Sequence, residues 1–355
     1  MESCGERVHK LAKRMVRSVG IESRPSVLDL DEFPVKKLAD DEYKPLNWGI
    51  SALEYFSDFI DMEDIGYLTV AYNSSSHEEY LPNLSCQIAL AGGLDLSSAP
   101  KEYVHCGCAG GICAIASAFE FCRKHDKATV VITYDQCHWN ASPVYDQTHE
   151  DFKSSLRSHL LFGDGAVVVL MVPECMRGDF DGQVLRIVDF KKDFHLGNVI
   201  RVSGGRFLTG DGIKDLMPSL VSSKIIKPLL EKYNLDMDSV SEWSIHQGGI
   251  PSLEAFMDEG VLGLRIEQLS RSRQIFEKYG NLSSPSSLLV LESFFNETNG
   301  NGNGNGNGNG VHLRDNRLES NINSAPQNNG SKNDLGMLVG FGAGYYLGGM
   351  LYCRD

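Results

Sequence analysis

Short apolar runs bounded by polar or glycine-rich residues recur along the chain. YLTVAY (67–72), ATVVITY (128–134) and AVVVLMV (166–172) are largely apolar and often β-branched over six or seven positions, and VLRIVDF (184–190) reads as a further strand. That length and composition predict strands covered on both faces. Segments 6–19, 49–60 (GISALEYFSDFI), 85–94 (SCQIALAGGL), 111–124 and 212–234 (GIKDLMPSLVSSKIIKPLLEKYN) lie between and after them and read as helices. SEWSIHQGG predicts a strand and a turn, IPSLEAFMDEG the start of a helix, and YGNLSSPSSLLVLESFF a loop feeding another helix. Alternating helix and strand with doubly apolar strands predicts a layered α/β fold around a buried sheet.

Three stretches depart from that rhythm. The residues between ATVVITY and AVVVLMV read as a long loop ending in Gly-Asp-Gly. Residues 335–353, LGMLVGFGAGYYLGGMLYC, carry no charge and approach spanning length. Six glycines interrupt them, so they are read as two buried strands joined by a glycine loop rather than as a membrane span. Residues 297–334, ETNGNGNGNGNGNGVHLRDNRLESNINSAPQNNGSKND, have little to bury and high backbone entropy, and are expected to be disordered.

Composition narrows the classes. The 355 residues are 42% apolar and 23% charged, ordinary for a globular chain of about two domains. A net charge of −14 excludes general nucleic-acid binding, which needs a basic field. Nine scattered cysteines are too few for a disulfide scaffold, and the charged N-terminus has no apolar core of a signal peptide. A reducing cytoplasm with free thiols is expected.

Candidate chemistry begins at EYVHCGCAGGICAIASAFEF (102–121), where Cys108 is followed by Ala-Gly-Gly and a helix-like run. A thiol at a helix N-terminus gains from the local positive field, which lowers its pKa. The junction resembles a nucleophile elbow with sulfur in place of oxygen. Two plainer readings stay open: Cys106, Cys108 and Cys113 as metal ligands, or all three as core residues. His246 follows an apolar strand and precedes a glycine turn; a lone histidine there is more often structural. Asn281 sits in a Gly-Asn turn, where an N-cap is the plain reading. Together a neutral Cys–His–Asn set suits thioester chemistry, with His and Asn donating to a developing oxyanion.

GCAGG around Cys108, LLFGDGA (160–166), HQGG (246–249), YGN-x-S (279–283) and GFGAG (340–344) occur in this order. The set resembles the condensing enzymes of the thiolase superfamily, in particular β-ketoacyl-acyl-carrier-protein synthase III and the type III polyketide synthases. The resemblance runs from about residue 10 to the end, apart from the Asn-Gly tract. His246 lies 138 residues beyond Cys108 and Asn281 another 35 beyond His246, which fits the family.

The resemblance implies a five-layered α-β-α-β-α fold of two similar halves. Residues 1–175 would carry the nucleophile, and 184–355 the histidine and asparagine. It implies Cys108 as acyl acceptor, His246 and Asn281 as the pair polarising a malonyl thioester, and the backbone N–H groups of Cys108 and Ala343 as an oxyanion hole. Cys106 and Cys113 become packing residues. Arg14 and Arg17 on the basic helix would meet the phosphates of coenzyme A or of a carrier protein's phosphopantetheine. Leu81 would line the acyl tunnel across a homodimer interface, and Gly249 and Phe341 would complete the substrate site. The implied reaction is decarboxylative Claisen condensation of an acyl group with a malonyl thioester, in fatty-acid or polyketide-type biosynthesis. No metal or further cofactor, nucleic acid or membrane is implied. An iterative type III polyketide synthase, a cysteine acyltransferase to oxygen or nitrogen, and a non-catalytic partner subunit are the alternatives. HQ favours the synthase III group, whereas the second GG, YGNLSS and GFGAG lean to the polyketide synthases. The family opens with a strand before the basic helix, which this chain lacks, so a missing strand or a late start is expected.

Overall fold

The structure is a computed structural model that describes residues 5–33, 35–142, 144–180, 184–203, 206–210, 212–296, 312–314 and 335–354. In chain order the helices are α1 (Gly5–Val19), α2 (Pro45–Phe56), α3 (Leu84–Ala91), α4 (Gly110–Cys122), α5 (Cys137–Asn140), α6 (Phe152–Leu161), α7 (Ile213–Val221), α8 (Lys227–Lys232), α9 (Ile250–Glu254), α10 (Ile266–Tyr279) and α11 (Ser286–Asn296). The strands are β1 (Ile65–Tyr72), β2 (Lys101–Val104), β3 (Ala128–Gln136), β4 (Asp164–Val172), β5 (Val184–Phe194), β6 (Ile200–Ser203), β7 (Arg206–Thr209), β8 (Glu242–Ile245), β9 (His312–Arg314), β10 (Leu335–Phe341) and β11 (Tyr346–Arg354).

One mixed sheet runs β2-β1-β3-β4-β9-β5-β11-β10-β8, and β6 and β7 form a separate hairpin. Strand β4 runs antiparallel to β3, and β11 runs antiparallel to both β5 and β10. The strand period of two sorts side chains between layers. On β1 and β3, Leu68, Val70, Val130 and Ile132 face α2 and α3 through Leu53, Phe56, Leu84 and Ile88. Their alternates Ala71 and Val131 face α4 through Ile112, Ile115 and Phe119. On the far side of α4 stand Leu185, Ile187, Leu338, Met350 and Tyr352 from β5, β10 and β11. The outer faces of β8 and β10 pack Trp243, Ile245 and Val339 against Val221, Ile225 and Leu229. The layers are therefore helix, strand, helix, strand, helix, with α4 and α11 as the middle layer. This is the thiolase-like architecture that the motifs imply.

Helix α4 can occupy the middle because it is apolar all round: ten of its thirteen residues are buried. Its glycines permit close approach. A methyl group on Gly111 would fall 2.3 Å from the Ser284 carbonyl oxygen, and one on Gly110 would fall 2.6 Å from Ser284 Oγ.

Several sequence expectations need correction. The stretch between β3 and β4 holds α5 and α6 rather than a plain loop. The single helix expected at 212–234 is α7 and α8 joined by a wide π turn over Ser222–Ile226. Residues 335–353 do form two buried strands, β10 and β11, paired antiparallel. Among the described residues no helix is long and apolar enough to cross a membrane. Of the tract expected to be disordered, 297–334, residues His312–Arg314 form β9 between β4 and β5. The remainder lies outside the described residues.

Candidate active site

Strand β2 runs into a tight turn, Cys106 to Ala109, and then into α4. Gly107 makes that turn at φ 60, a conformation glycine adopts without strain. Both backbone groups of Gly107 are held by Asn73. Gly107 N–H donates to Asn73 Oδ1 at 2.7 Å, and Asn73 Nδ2 donates to the Gly107 carbonyl at 3.0 Å. Asn73 is fixed in turn by the buried carboxylate of Asp135 at the end of β3. That carboxylate accepts from Asn73 N (2.8 Å), Asn73 Nδ2 (3.0 Å), Ser74 N (2.8 Å) and Ser284 N (2.9 Å). Burial pushes the Asp135 carboxyl upward, and these donors oppose it.

Cys108 is buried, with 7% of its surface exposed. Asn281 Nδ2 and Oδ1 both lie 3.9 Å from its Sγ. Asn281 does not cap α11, which starts at Ser286. Its Oδ1 accepts from Ser283 N at 2.8 Å and Ser286 Oγ at 3.1 Å, fixing the amide toward the thiol. The main chain of Asn281 bonds to the end of α6, donating to Leu161 O and accepting from Gly163 N, both at 3.0 Å.

The expected lowering of the Cys108 pKa is corrected. Burial pushes the thiol up to about 12, outweighing the hydrogen bonds from Ser283, Asn281 and its own backbone. Desolvation disfavours the thiolate more than the short turn and helix end favour it. His246, just beyond β8, is also buried, and burial alone pushes it down to about 3. The two groups are therefore a neutral thiol and a neutral imidazole at neutral pH. His246 N donates to Val339 O at 2.9 Å, its ring stands edge-on to Phe341 at 5.0 Å, and its Nδ1 has no hydrogen-bond partner.

Phe341 leads into the loop that carries Ala343. Gly342 faces the Cys108 turn so closely that a Cβ there would meet Cys108 N at 2.6 Å. A Cβ on Gly107 would meet Ala343 N at 2.3 Å. The amides of Cys108 and Ala343 thus converge on one junction, beside the Phe341 ring that contacts His246.

A cavity of about 570 Å³ opens beside this junction. Gly107, Ser283 and Ala343 reach it from the nucleophile side, and α5 and α6 form the wall with His138, Ser158 and His159. These wall residues escaped the sequence reading. Helix α6, FKSSLRSHLL, turns serines and a histidine toward the cavity, so no clean apolar stripe marks it. Arg201 on β6 is exposed and lines the cavity, so it stands at the rim.

The other expected substrate contacts are not brought to the cavity within this chain. Arg14 and Arg17 are exposed on α1, whose apolar face packs on α6 through Val8, Ala12 and Leu156. Leu81 is 92% exposed, and Gly249 immediately precedes α9. Cys106 and Cys113 are half-buried, and none of the eight cysteines among the described residues is in a disulfide. Among those residues no group of three or more His, Cys, Asp or Glu could hold a metal ion.

The fold sets this junction in a thiolase-like architecture. Residues 214–316 match the family described as chalcone and stilbene synthases, C-terminal domain. The chain is 31% identical over 199 residues to "Putative chalcone synthase" of Bacillus subtilis strain 168, an alignment covering 52% of this chain and 51% of that protein. The chain thus spans about half the length of the curated relative it matches. Its fold resembles 1,3,6,8-tetrahydroxynaphthalene synthase from Streptomyces coelicolor, a bacterial type III polyketide synthase. The TM-score is 0.69 at 19% identity, over 98% of this chain and 90% of that one. CsyB complexed with CoA-SH aligns with a TM-score of 0.72 at 16% identity, over 99% and 92% of the two chains. The resemblance to type III polyketide synthases carried by the motifs is thus matched in fold and in the C-terminal sequence.

Proposed function

We propose that this chain is a type III polyketide synthase-like condensing enzyme that builds an acyl chain on Cys108. The observation that carries the reading is the Asn281 amide at 3.9 Å from the Cys108 sulfur, brought there from a turn 173 residues away. Cys108 Sγ attacks the carbonyl of an acyl thioester, and the N–H groups of Cys108 and Ala343 receive the oxyanion. The donor thiol leaves. A malonyl thioester then sets its carbonyl oxygen against His246 and Asn281. Both groups are neutral donors there, so they stabilise the enolate that forms as carbon dioxide departs. The enolate carbon attacks the carbonyl carbon of acyl-Cys108, a carbon–carbon bond forms, the carbon–sulfur bond breaks to release the Cys108 thiol, and the extended chain remains on the malonyl-derived thioester.

Coenzyme A esters are the favoured donors, by analogy with CsyB, which was solved with CoA-SH. Arg201 at the rim and Arg14 and Arg17 on α1 are the candidate partners for the phosphates. The polar wall, with His138, Ser158 and His159, favours an oxygenated polyketide chain over a plain alkyl chain. A homodimer is favoured by Tyr80, Leu81 and Leu90, exposed by 75%, 92% and 76% on one loop and its following helix. Cysteines outside disulfides suit a cytoplasmic location. The test is incubation with acyl- and malonyl-coenzyme A, reading the mass of Cys108 and the carbon dioxide released. Loading with carbon dioxide release supports condensation. Loading without it supports a simple acyltransferase.

A further inference from the structure

The cavity beside Cys108 lacks the acidity of the rest of the chain. The sequence carries 47 acidic and 33 basic residues, a net charge of −14. Among the described residues that line the cavity there is no aspartate or glutamate, but there are Arg201, His105, His138 and His159. The buried Asp135 and Asp164 do not line it, and protein donors already hold their carboxylates. Asp135 accepts from Asn73, Ser74 and Ser284, and Asp164 from Val27 N at 2.9 Å and His138 N at 2.8 Å. Two half-buried cations are bound to the backbone of the wall. Arg24 Nη1 donates to His159 O at 2.6 Å, and Lys36 Nζ donates to Trp139 O. Their field reaches the lining: His159 is pushed down to about 4, first by burial and then by His138, Arg24 and Lys36. The β6–β7 hairpin sets the direction of Arg201. Arg201 stands opposite Leu208, and opposed residues of an antiparallel pair share a face. Leu208 is 4% exposed and β7 packs on α6, so the face that carries Arg201 is turned into the protein, toward the helix that brings Ser155, Ser158 and His159 to the cavity. Among the described residues no hydrogen bond or ion pair engages its guanidinium.

We infer that Arg201 selects a starter acyl thioester whose far end carries a carboxylate, of the succinyl or glutaryl class. The inference rests on the proposed loading of Cys108. A guanidinium takes a carboxylate by two parallel charge-assisted hydrogen bonds, and no acid of the lining competes for it. A volume of about 570 Å³ encloses a whole small acyl group and not only an acetyl. The carboxylate must lie beyond the β position. One that is β to the thioester carbonyl can leave as carbon dioxide, because the electrons left behind form an enolate. One further along has no such outlet and survives loading and extension. Loading is thioester exchange. The acyl bond to the coenzyme sulfur breaks, the bond to Cys108 Sγ forms, the Cys108 proton ends on the coenzyme thiol, and the far carboxylate is unchanged. Of the three arginines considered for the coenzyme phosphates, Arg201 is the one that lines this cavity, whereas Arg14 and Arg17 are exposed on α1.

The test measures single-turnover loading of the full chain, read by intact mass, with glutaryl-coenzyme A and with pentanoyl-coenzyme A. The two donors share the coenzyme and the number of acyl carbons, and differ in a terminal carboxylate against a methyl group. Wild type should load glutaryl about 10- to 100-fold more efficiently at limiting donor, the range for a charge-assisted pair. The difference should lie in the half-saturating donor concentration rather than in the limiting rate, because the contact is remote from the reacting carbonyl. Arg201→Gln should bring the ratio of the two donors close to one, Arg201→Glu should reverse it, and Arg201→Lys should keep part of it. A wild-type ratio near one, or a ratio that persists in Arg201→Gln, would overturn the inference while leaving loading intact. An equal loss with both donors in Arg201→Gln would overturn it too, and would place Arg201 at the coenzyme phosphates. Should that variant fail to fold, the wild-type ratio and Arg201→Lys decide in its place. Failure of wild type to load either donor or acetyl-coenzyme A would overturn the loading reading itself.

Discussion

Gly107 and Ala343 stand so close that a Cβ on Gly107 would fall 2.3 Å from the Ala343 amide nitrogen. Two turns separated by most of the chain thereby hold the two candidate oxyanion donors in fixed relation. Gly107→Ala must both adopt φ 60 and push the second turn away. It is expected to cost about 1–3 kcal/mol of stability and to slow acyl loading of Cys108 more than tenfold. Denaturant unfolding and single-turnover mass spectrometry check the two parts.

Asn73→Ala should act on the same junction from the other side. It leaves the Gly107 N–H without its partner, takes the closer of two donors from the Gly107 carbonyl, and strips one side-chain hydrogen bond from the buried carboxylate of Asp135. A loss of about 1–3 kcal/mol is expected, with loading impaired even where the variant is folded. Full loading in a folded variant would show that the Asn73 clamp does not position the thiol.

The buried thiol makes a pH prediction. A Cys108 held up to about 12 stays protonated at neutral pH, whereas an exposed cysteine titrates near about 8.5. Alkylation of Cys108 by iodoacetamide should therefore rise about tenfold per pH unit, with no plateau below about pH 11. A plateau near neutrality, located on Cys108 by peptide mapping, would show a thiolate already formed.

His246 and Asn281 separate two chemistries. Loading needs the thiol and the oxyanion hole, and decarboxylation needs donors to the malonyl carbonyl. His246→Ala and Asn281→Ala should each lower carbon dioxide release from labelled malonyl-coenzyme A by about 100- to 1000-fold. Acyl adducts on Cys108 should persist in both. A folded variant that decarboxylates at the wild-type rate removes that residue from the step.

Burial of neutral imidazoles has a cost in acid. His246 is held down to about 3 and His159 to about 4, both below the unfolded value of about 6.5. The unfolded chain therefore binds more protons than the folded one from about pH 6.5 downward. Stability should fall through that window, reaching its full loss only below each folded value. Each histidine contributes up to about 1.4 kcal/mol per pH unit. His246→Gln and His159→Gln should each flatten the slope in urea titrations between about pH 6.5 and 4.

The layered fold was legible because β1, β3 and β4 are apolar on both faces, and such strands have few solutions other than burial between layers. Cys108 and Asn281 were legible because glycine-rich turns mark their places in the chain. The cavity wall was not. Ser155, Ser158 and His159 break the apolar period of α6 on the side that faces the cavity. The pKa of Cys108 was misjudged for a related reason. The helix end that favours thiolate is adjacent in sequence, whereas much of what packs around the thiol comes from residues near 281 and 343. Leu81, Arg14 and Arg17 are exposed and do not line the cavity of their own chain, so their expected roles require a partner subunit or a ligand reaching the surface.

The hydrogen bonds of Asn73 reach Gly107, Asp135, Ser283 and Ser284. The last two lie 210 and 211 positions along the chain, so this clamp closes only after the final third of the protein has docked. A nascent or half-folded chain holds Cys108 on an untied turn, with no asparagine at its sulfur. On the proposed function, acyl loading of Cys108 would wait for that docking.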